Sequence, residues 1–146
     1  MKRSAGILPY RIKNGVVEVY LGHFGGPFWK NKERSWGIIK GEVNPGESDL
    51  DAAKREFFEE TGKEIAGEFI DLGEAKTSNK ILHIFAVQKD LDTHIRSNLV
   101  TMEYKGRVLK FPEIDQATWM DIEEAKKKIV KSQEIFLQRL LTTVSA

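Results

Sequence analysis

The chain has 146 residues, a formal charge of +1 and no cysteine. A chain of this length can bury about two thirds of its unfolded surface, so we expect one domain, residues 1–146, with a core of its own. The near-zero charge predicts neither a nucleic-acid nor a membrane partner, and the lack of cysteine excludes disulfides and thiolate metal sites. With no apolar run of spanning length and no signal-peptide segment at the N-terminus, the sequence favours a cytoplasmic location.

The first forty residues predict three strands. A first strand is predicted at Ser4–Ile12, and Pro9 within it predicts an edge strand or a bulge, because proline donates no hydrogen bond to a ladder. Asn14-Gly15 is a signal of a tight hairpin turn, and Val16–Gly22 alternates as a second strand after it. A short third strand is predicted at Trp36–Ile39.

A loop between the second and third strands contains two glycines and two aromatic residues, Gly25-Gly26-Pro27-Phe28-Trp29-Lys30. Two interpretations stay open for its aromatic side chains. They fold onto the core, as in an ordinary long turn, or they stack on a nucleobase, since exposed aromatic residues on loops can do so.

A turn and a helix are predicted within Gly41–Lys63. Ser48 is placed as an N-cap, Asp51 three residues later completes a capping-box-like pair, and Gly62 stands where the helix would stop. One face of this helix is apolar and suits a core, with Leu50, Ala53 and Phe57. Another face brings three carboxylates together on adjacent turns, those of Glu56, Glu59 and Glu60.

The clustered carboxylates also have two interpretations. Most Glu-rich helix faces are simply solvated, at a cost of a few tenths of a kcal/mol for each like-charge pair, and Arg55 offsets part of that cost because it lies four residues before Glu59. Alternatively, hard oxygen ligands of this kind bind Mg²⁺ or Mn²⁺ and leave coordination positions for water and substrate phosphates.

The stretch Gly41–Lys63 resembles the signature of the Nudix hydrolase superfamily. That signature places a glycine, a glutamate, Arg-Glu, an apolar residue, Glu-Glu, a glycine and a final apolar residue at fixed spacings. The matching positions here are Gly41, Glu47, Arg55, Glu56, Phe57, Glu59, Glu60 and Gly62. Lys63 departs from the final apolar position, and Ile39 stands where many relatives have proline. So many matching positions favour the metal interpretation.

The resemblance implies the Nudix fold, an α/β/α sandwich with a mixed sheet between helices. It implies hydrolysis of a nucleoside diphosphate linked to another moiety, with Mg²⁺ or Mn²⁺ as cofactor. The implied metal ligands are the carbonyl of Gly41 and the side chains of Glu56, Glu59 and Glu60. Glu47 and Arg55 are implied to support the helix and its carboxylates.

Two further strands are predicted at Glu68–Thr77 and Ile81–Gln88, joined at Ser78-Asn79. Lys80 opens the second of them, and it is either an exposed lysine at a strand end or a contact for substrate phosphate. Two histidines lack the spacing of metal ligands and are predicted in the core or at the surface, His83 and His94.

The polar stretch Lys89–Lys110 is too long for a tight connection, and it is predicted to hold a loop that borders the site. Many Nudix hydrolases carry a glutamate shortly before a strand that ends in tryptophan. Glu113, before the strand that ends at Trp119, fits that position, and Glu103 in the polar stretch is its competitor. The resemblance leaves Glu60 and Glu113 as candidates for the general base.

Two helices complete the prediction, one capped by Asp121 and ending at Lys128, the other at Gln133–Leu141. The run Lys126-Lys127-Lys128 is predicted to be a solvated helix face. The apolar side of the last helix suits the core, and its members are Phe136, Leu137, Leu140 and Leu141.

The expected substrate is a small nucleotide, diadenosine tetraphosphate, cleaved to ATP and AMP in preference to ATP or dGTP. The chain resembles the diadenosine tetraphosphate hydrolases in the stretch Gly41–Leu50 and in the placement of Lys80, Glu113 and Trp119. Lys80 is the candidate contact for phosphate. The candidate contacts for the bases are three aromatic residues on loops, Phe28, Trp29 and Tyr104. The alternatives are a nucleoside triphosphate pyrophosphohydrolase of MutT type and hydrolases of nucleotide sugars or cap-like nucleotides. A non-catalytic nucleotide-binding regulatory module is a further alternative, against which three intact glutamates argue.

Overall fold

The computed structural model describes residues 1–144. Its strands are β1 (Lys2–Lys13), β2 (Val16–Phe24), β3 (Trp36–Gly37), β4 (Ile39–Glu42), β5 (Phe69–Lys76), β6 (Lys80–Gln88), β7 (Leu99–Tyr104), β8 (Arg107–Pro112) and β9 (Ile114–Asp121). Its helices are α1 (Asp49–Thr61), α2 (Ile122–Lys128) and α3 (Glu134–Val144), and a 3-10 turn at Lys131–Gln133 precedes α3. Seven strands form one mixed sheet, and β7 and β8 form a separate hairpin.

The mixed sheet lies between α1 on one face and α2 with α3 on the other. Side chains alternate across β1, so that Ile7 joins the core beneath α1 with Phe57, whereas Leu8 joins the core beneath α3 with Phe136. All four of these side chains are completely buried. The predicted α/β/α sandwich is therefore confirmed.

β1 is an interior strand, so of the two alternatives predicted from Pro9, an edge strand or a bulge, the edge strand is wrong. One side of β1 pairs in parallel with β6 from Lys2 to Tyr10. Its other side pairs with β4 over Ser4–Ile7 and with β2 over Tyr10–Lys13. Pro9 falls between these two partners, where the ladder on that side is interrupted, and such an interruption accommodates proline.

The predicted strand at Trp36–Ile39 is divided between two partners. β3 pairs with β2, with Gly22 opposite Gly37, and β4 then pairs with β1, with Ala5 opposite Gly41. The segment from Gly37 to Gly41 therefore passes from the edge of β2 to the edge of β1, and β4, which contains Gly41, contacts α1.

The predicted helix caps are present. The side chain of Ser48 accepts a hydrogen bond from the backbone N–H of Asp51 at 3.1 Å, and Gly62 ends α1 with a left-handed φ of 77°. Asp121 caps α2 by accepting from the backbone N–H of Glu124 at 2.8 Å. Within residues 1–144, no helix combines the length and the apolarity that crossing a membrane requires.

The second half of the polar stretch Lys89–Lys110 forms most of the β7–β8 hairpin, which was not predicted. Lys105 and Gly106 make the turn with φ of 51° and 75°, as expected of a two-residue turn with positive φ at both central positions. Lys-Gly is a weaker turn signal than Asn-Gly. Without a clear turn after it, the alternation of Val100, Met102 and Tyr104 does not by itself predict a strand.

Candidate active site at the signature helix

Gly41 on β4 lies directly against the carboxylate of Glu56 on α1. A Cβ atom at Gly41 would stand 1.9 Å from Cδ and 2.1 Å from Oε1 of Glu56. Any side chain at this position would displace the carboxylate of Glu56, and glycine leaves that carboxylate in place. Two of the predicted metal ligands thus come from different elements and meet at one place.

Arg55 holds the acidic residues around it in fixed orientations. Its guanidinium donates to both carboxylate oxygens of Glu47, at 2.8 and 3.0 Å, and to Glu56 at 2.9 Å. It also donates to Glu59 at 3.3 Å and to the backbone carbonyl of Glu42 at 2.9 Å. One cation therefore ties the loop before α1 to two carboxylates of the helix.

Lys63, which departs from the signature, has a polar partner of its own. Its side chain is only 19% exposed, and its ammonium donates to Asp92 at 2.7 Å. The long apolar stem of lysine can cover neighbouring apolar surface while the charge reaches a partner.

Glu60 is the most constrained member of the carboxylate cluster. It is 2% exposed, and its Oε2 atom is buried with no hydrogen-bond partner among residues 1–144. Burial, followed by repulsion from Glu113 and Glu56, raises the pKa of the Glu60 carboxyl to about 10. Burial also raises the pKa of Glu56.

An unpaired buried oxygen among acidic neighbours is costly in free energy unless a cation is bound. The donor set consists of carboxylate oxygens with a peptide carbonyl nearby, which are the hard ligands that Mg²⁺ and Mn²⁺ prefer. The residues present therefore fit the divalent cation that the family signature implies.

Glu113 lies beside this cluster, although it follows β8 and is far from α1 in sequence. Its charge contributes to the raised pKa of both Glu56 and Glu60. Asn98 donates to its carboxylate at 3.1 Å, and Gly25 donates to its backbone carbonyl at 2.9 Å. Its predicted competitor Glu103 is exposed on β7, one residue from the end of the strand at the hairpin turn.

Lys40 is a site residue that the sequence analysis missed. Its pKa is lowered by burial and by the neighbouring Lys80, and the charges of Glu60 and Glu113 oppose that shift. Lys40 is therefore near both the carboxylate cluster and a second lysine. Its position directly before Gly41 could have indicated this. The backbone carbonyl of Gly41 is a predicted metal ligand, and the residue next to it in the chain must lie close to the same site.

A cavity of about 460 Å³ adjoins the cluster, and both Lys40 and Glu113 line it. Lys80 lines the same cavity, together with Trp29 and Gln133. The cavity therefore combines cationic side chains beside the carboxylates with aromatic surface, a combination that suits a nucleotide.

The three loop aromatics expected to contact bases occupy different environments. Trp29 lines the cavity and packs against Phe24, with ring centroids 4.8 Å apart. Phe28 is 53% exposed and meets Trp29 edge to face at 5.1 Å, outside the cavity wall. Tyr104 lies at the tip of the β7–β8 hairpin, beside Lys105, and is not part of the wall either.

A separate polar cluster surrounds His83. Its Nδ1 atom bonds Asp49 at 2.8 Å and its Nε2 atom bonds Asp71 at 2.7 Å. Ligand atoms of His83, Asp49 and Glu74 lie within 4.8 Å of one another, but the guanidinium of Arg3 already pairs with both carboxylates. We therefore interpret this cluster as an ion-pair network. Its members come from four different elements, which is why sequence spacing did not reveal it.

Replacement of His83 by glutamine should destabilise the protein more at low pH than at high pH. Burial alone lowers the pKa of His83, but hydrogen bonds to Asp49 and Asp71 outweigh it, so the pKa is raised above 6.5. The stabilisation of the folded state by protonated His83 is therefore complete below the pKa of histidine in the unfolded chain, and it is lost as pH rises through the pKa of His83 in the folded protein. Urea unfolding of both proteins at pH 6 and pH 8.5 measures this. His94→Gln, at an exposed position, is the control, and a difference that grows with pH contradicts the interpretation.

Comparisons with known proteins agree with this fold. A family model described as the NUDIX domain matches residues 2–140. A comparison with curated protein sequences finds no match.

Solved structures match over nearly the whole chain. A binary complex of an Ap4A hydrolase from C. elegans has 19% identity and a TM-score of 0.65, covering 99% of this chain and 98% of its own. The NUDIX domain of Shewanella oneidensis NrtR, complexed with ADP ribose, has 9% identity and a TM-score of 0.68, covering 97% and 87%. A mutT/nudix family protein from Listeria innocua has 15% identity and a TM-score of 0.66, covering 99% and 94%. At these identities the likeness concerns the fold.

Proposed function

The chain belongs to the Nudix family and is a Nudix-type hydrolase, and we propose that it cleaves a phosphoanhydride bond in a nucleoside diphosphate linked to another moiety. We further propose that the reaction depends on Mg²⁺, for which Mn²⁺ can substitute. The observation that carries this proposal is the buried Oε2 atom of Glu60, which has no partner within residues 1–144 and lies among other carboxylates.

Glu56, Glu59, Glu60 and the carbonyl of Gly41 would hold the cation. A bound Mg²⁺ supplies charge neutralisation for phosphate oxygens and lowers the pKa of a water molecule. Arg55 and Glu47 keep the carboxylates in orientation before the substrate arrives, so that little reorganisation is needed during the reaction.

Glu113 is the better candidate of the two for the general base, because Glu60 is assigned to the cation. A base must be ionised to accept a proton from the attacking water. The side-chain amide of Asn98 donates to the carboxylate of Glu113 at 3.1 Å and holds it in a fixed orientation.

A dinucleoside polyphosphate, diadenosine tetraphosphate, is the proposed substrate. Its long anionic bridge requires several cationic contacts, and Lys40 and Lys80 both line the cavity beside the carboxylates. One base can lie on the aromatic surface of Phe24 and Trp29. The Ap4A hydrolase from C. elegans has a similar fold. The support for the substrate proposal is the lining of the cavity, with its lysines and its aromatic surface.

Diadenosine tetraphosphate should be cleaved to ATP and AMP with a higher kcat/KM than ATP in the presence of Mg²⁺. Trp29→Ala should raise KM by about one to two decades, because loss of base stacking costs about 1–3 kcal/mol. It should spare kcat, since stacking remote from the reacting phosphorus contributes equally to the ground and transition states.

Phe28→Ala is the matched control, because Phe28 belongs to the same loop but lies outside the cavity wall. Steady-state kinetics with chromatographic separation of the products measures all three proteins. A higher kcat/KM for ATP, with release of pyrophosphate, would instead favour a triphosphate pyrophosphohydrolase. Nucleotide binding without turnover would favour a regulatory module.

A further inference from the structure

The segment Arg96–Asn98 covers the C-terminal end of α1. The last carbonyl groups of a helix have no partner within the helix itself. Here the backbone N–H of Asn98 donates to the carbonyl of Glu59 at 2.9 Å, and the backbone N–H of Arg96 donates to the carbonyl of Thr61 at 2.8 Å. Asn98 is thereby fixed against the last turn of α1, the part of the helix that carries the proposed cation ligands.

Asn98 is also joined to Glu113 by two hydrogen bonds. Its carbonyl accepts from the backbone N–H of Glu113 at 3.1 Å, and its side-chain amide donates to Oε1 of Glu113 at 3.1 Å. Among the residues 1–144 that the structure describes, no other side chain forms a hydrogen bond with this carboxylate. Asn98 therefore contacts the cation helix with its backbone and the carboxylate of Glu113 with its side chain.

These bonds lie at the base of the β7–β8 hairpin. Asn98 comes directly before β7, and Glu113 comes directly after β8. The hairpin is a sheet of two strands, separate from the mixed sheet, and a two-stranded hairpin alone is marginally stable at best. A carboxylate at its base therefore needs a fixed point outside the hairpin, and the bond from Asn98 to α1 provides one.

We propose that Asn98 is a positioning residue for the reaction, which holds the carboxylate of Glu113 in place beside the carboxylates of α1. This inference deepens the proposed function and rests on it, because Glu113 is assigned there as the general base. A general base must lie within hydrogen-bond reach of the proton that it accepts. A Glu113 side chain that leaves this orientation cannot act on the water, although the substrate still binds.

Asn98→Ala should lower kcat about tenfold at saturating Mg²⁺, which corresponds to about 1.4 kcal/mol, and should leave KM unchanged. The change removes the side-chain amide and retains both backbone hydrogen bonds, so the segment should stay on α1. Alanine is compatible with the backbone at this position, because Asn98 is exposed and does not have a positive φ.

Asn98→Asp separates the hydrogen bond from the shape of the side chain. Aspartate has nearly the shape of asparagine, but in its ionised form it can only accept hydrogen bonds. It would also repel the carboxylate of Glu113. The kcat of Asn98→Asp should therefore fall at least as far as that of Asn98→Ala, whereas a role in packing alone would leave it near the wild-type value.

A double-mutant cycle tests whether Asn98 acts through Glu113. In a Glu113→Gln protein, Asn98→Ala should change the remaining kcat by less than about twofold, because no base is left to be oriented. Ser97→Ala is the matched control in the same segment. It removes the acceptor of the Ile114 backbone N–H at 3.1 Å and leaves the carboxylate of Glu113 bonded, so it should leave kcat unchanged.

Steady-state kinetics with the nucleotide that the wild-type protein cleaves fastest measures kcat and KM, and thermal unfolding checks the fold of each variant. Three results would overturn the inference and leave the hydrolase function standing. These are wild-type kcat in Asn98→Asp, a further loss of about tenfold from Asn98→Ala in the Glu113→Gln protein, and an equal loss of kcat in Ser97→Ala. Absence of hydrolysis by the wild-type protein would overturn both proposals.

Discussion

Glu59→Gln should lower kcat by about two to three orders of magnitude at saturating Mg²⁺, the size of effect that follows removal of one group from a preorganised electrostatic site. Glu59 is proposed as a cation ligand, and its repulsion contributes to the raised pKa of Glu56. The change is isosteric and lies at an exposed position on α1, so the fold should be retained. Relief of that repulsion should leave the melting temperature equal or slightly higher.

Steady-state kinetics and thermal unfolding of the same preparations measure both effects. Glu68→Gln makes the same chemical change at an exposed position outside the carboxylate cluster, and it should leave kcat unchanged. Wild-type kcat in the Glu59→Gln protein would refute the assignment of α1 as the cation site.

Glu113→Gln should lower kcat by about a hundredfold or more, in the range for loss of a general base, with little change in KM. Its carboxylate lies beside Glu56 and Glu60 and is held by Asn98 at 3.1 Å. A group that acts on the attacking water contributes mainly in the transition state, so its loss affects kcat.

Glu103→Gln is the matched control and should be nearly silent, since Glu103 is exposed near the end of the hairpin. The reverse pattern, with an unchanged kcat for Glu113→Gln and a lowered kcat for Glu103→Gln, would assign the role of general base to Glu103 on the hairpin. It would also show that the strand containing Trp119 was matched wrongly to the family pattern.

The signature helix was predictable because its determinants are local. The cap at Ser48, the stop at Gly62 and the spacing of the glutamates depend on residues within a few positions of one another. The same holds for the first hairpin, where Asn14 and Gly15 both adopt positive φ.

The rest of the site depends on contacts between distant segments, which spacing does not reveal. Lys40 became a site residue because β4 pairs with β1 beside α1. Gln133 looked like the first residue of the last helix, and its bond to Ile38, 95 positions away in sequence, could not be predicted from either segment. The network around His83 likewise joins α1, β1, β5 and β6.

Turnover of a nucleotide panel, with Mg²⁺ and with EDTA, tests the central claim most directly. The panel comprises diadenosine tetraphosphate, ATP, dGTP, ADP-ribose and a nucleotide sugar, and chromatography identifies the products. Mg²⁺-dependent cleavage of a phosphoanhydride bond is expected, fastest for diadenosine tetraphosphate and abolished by EDTA. Absence of hydrolysis across the panel with Mg²⁺ or Mn²⁺ present, or hydrolysis at an undiminished rate in EDTA, would contradict it.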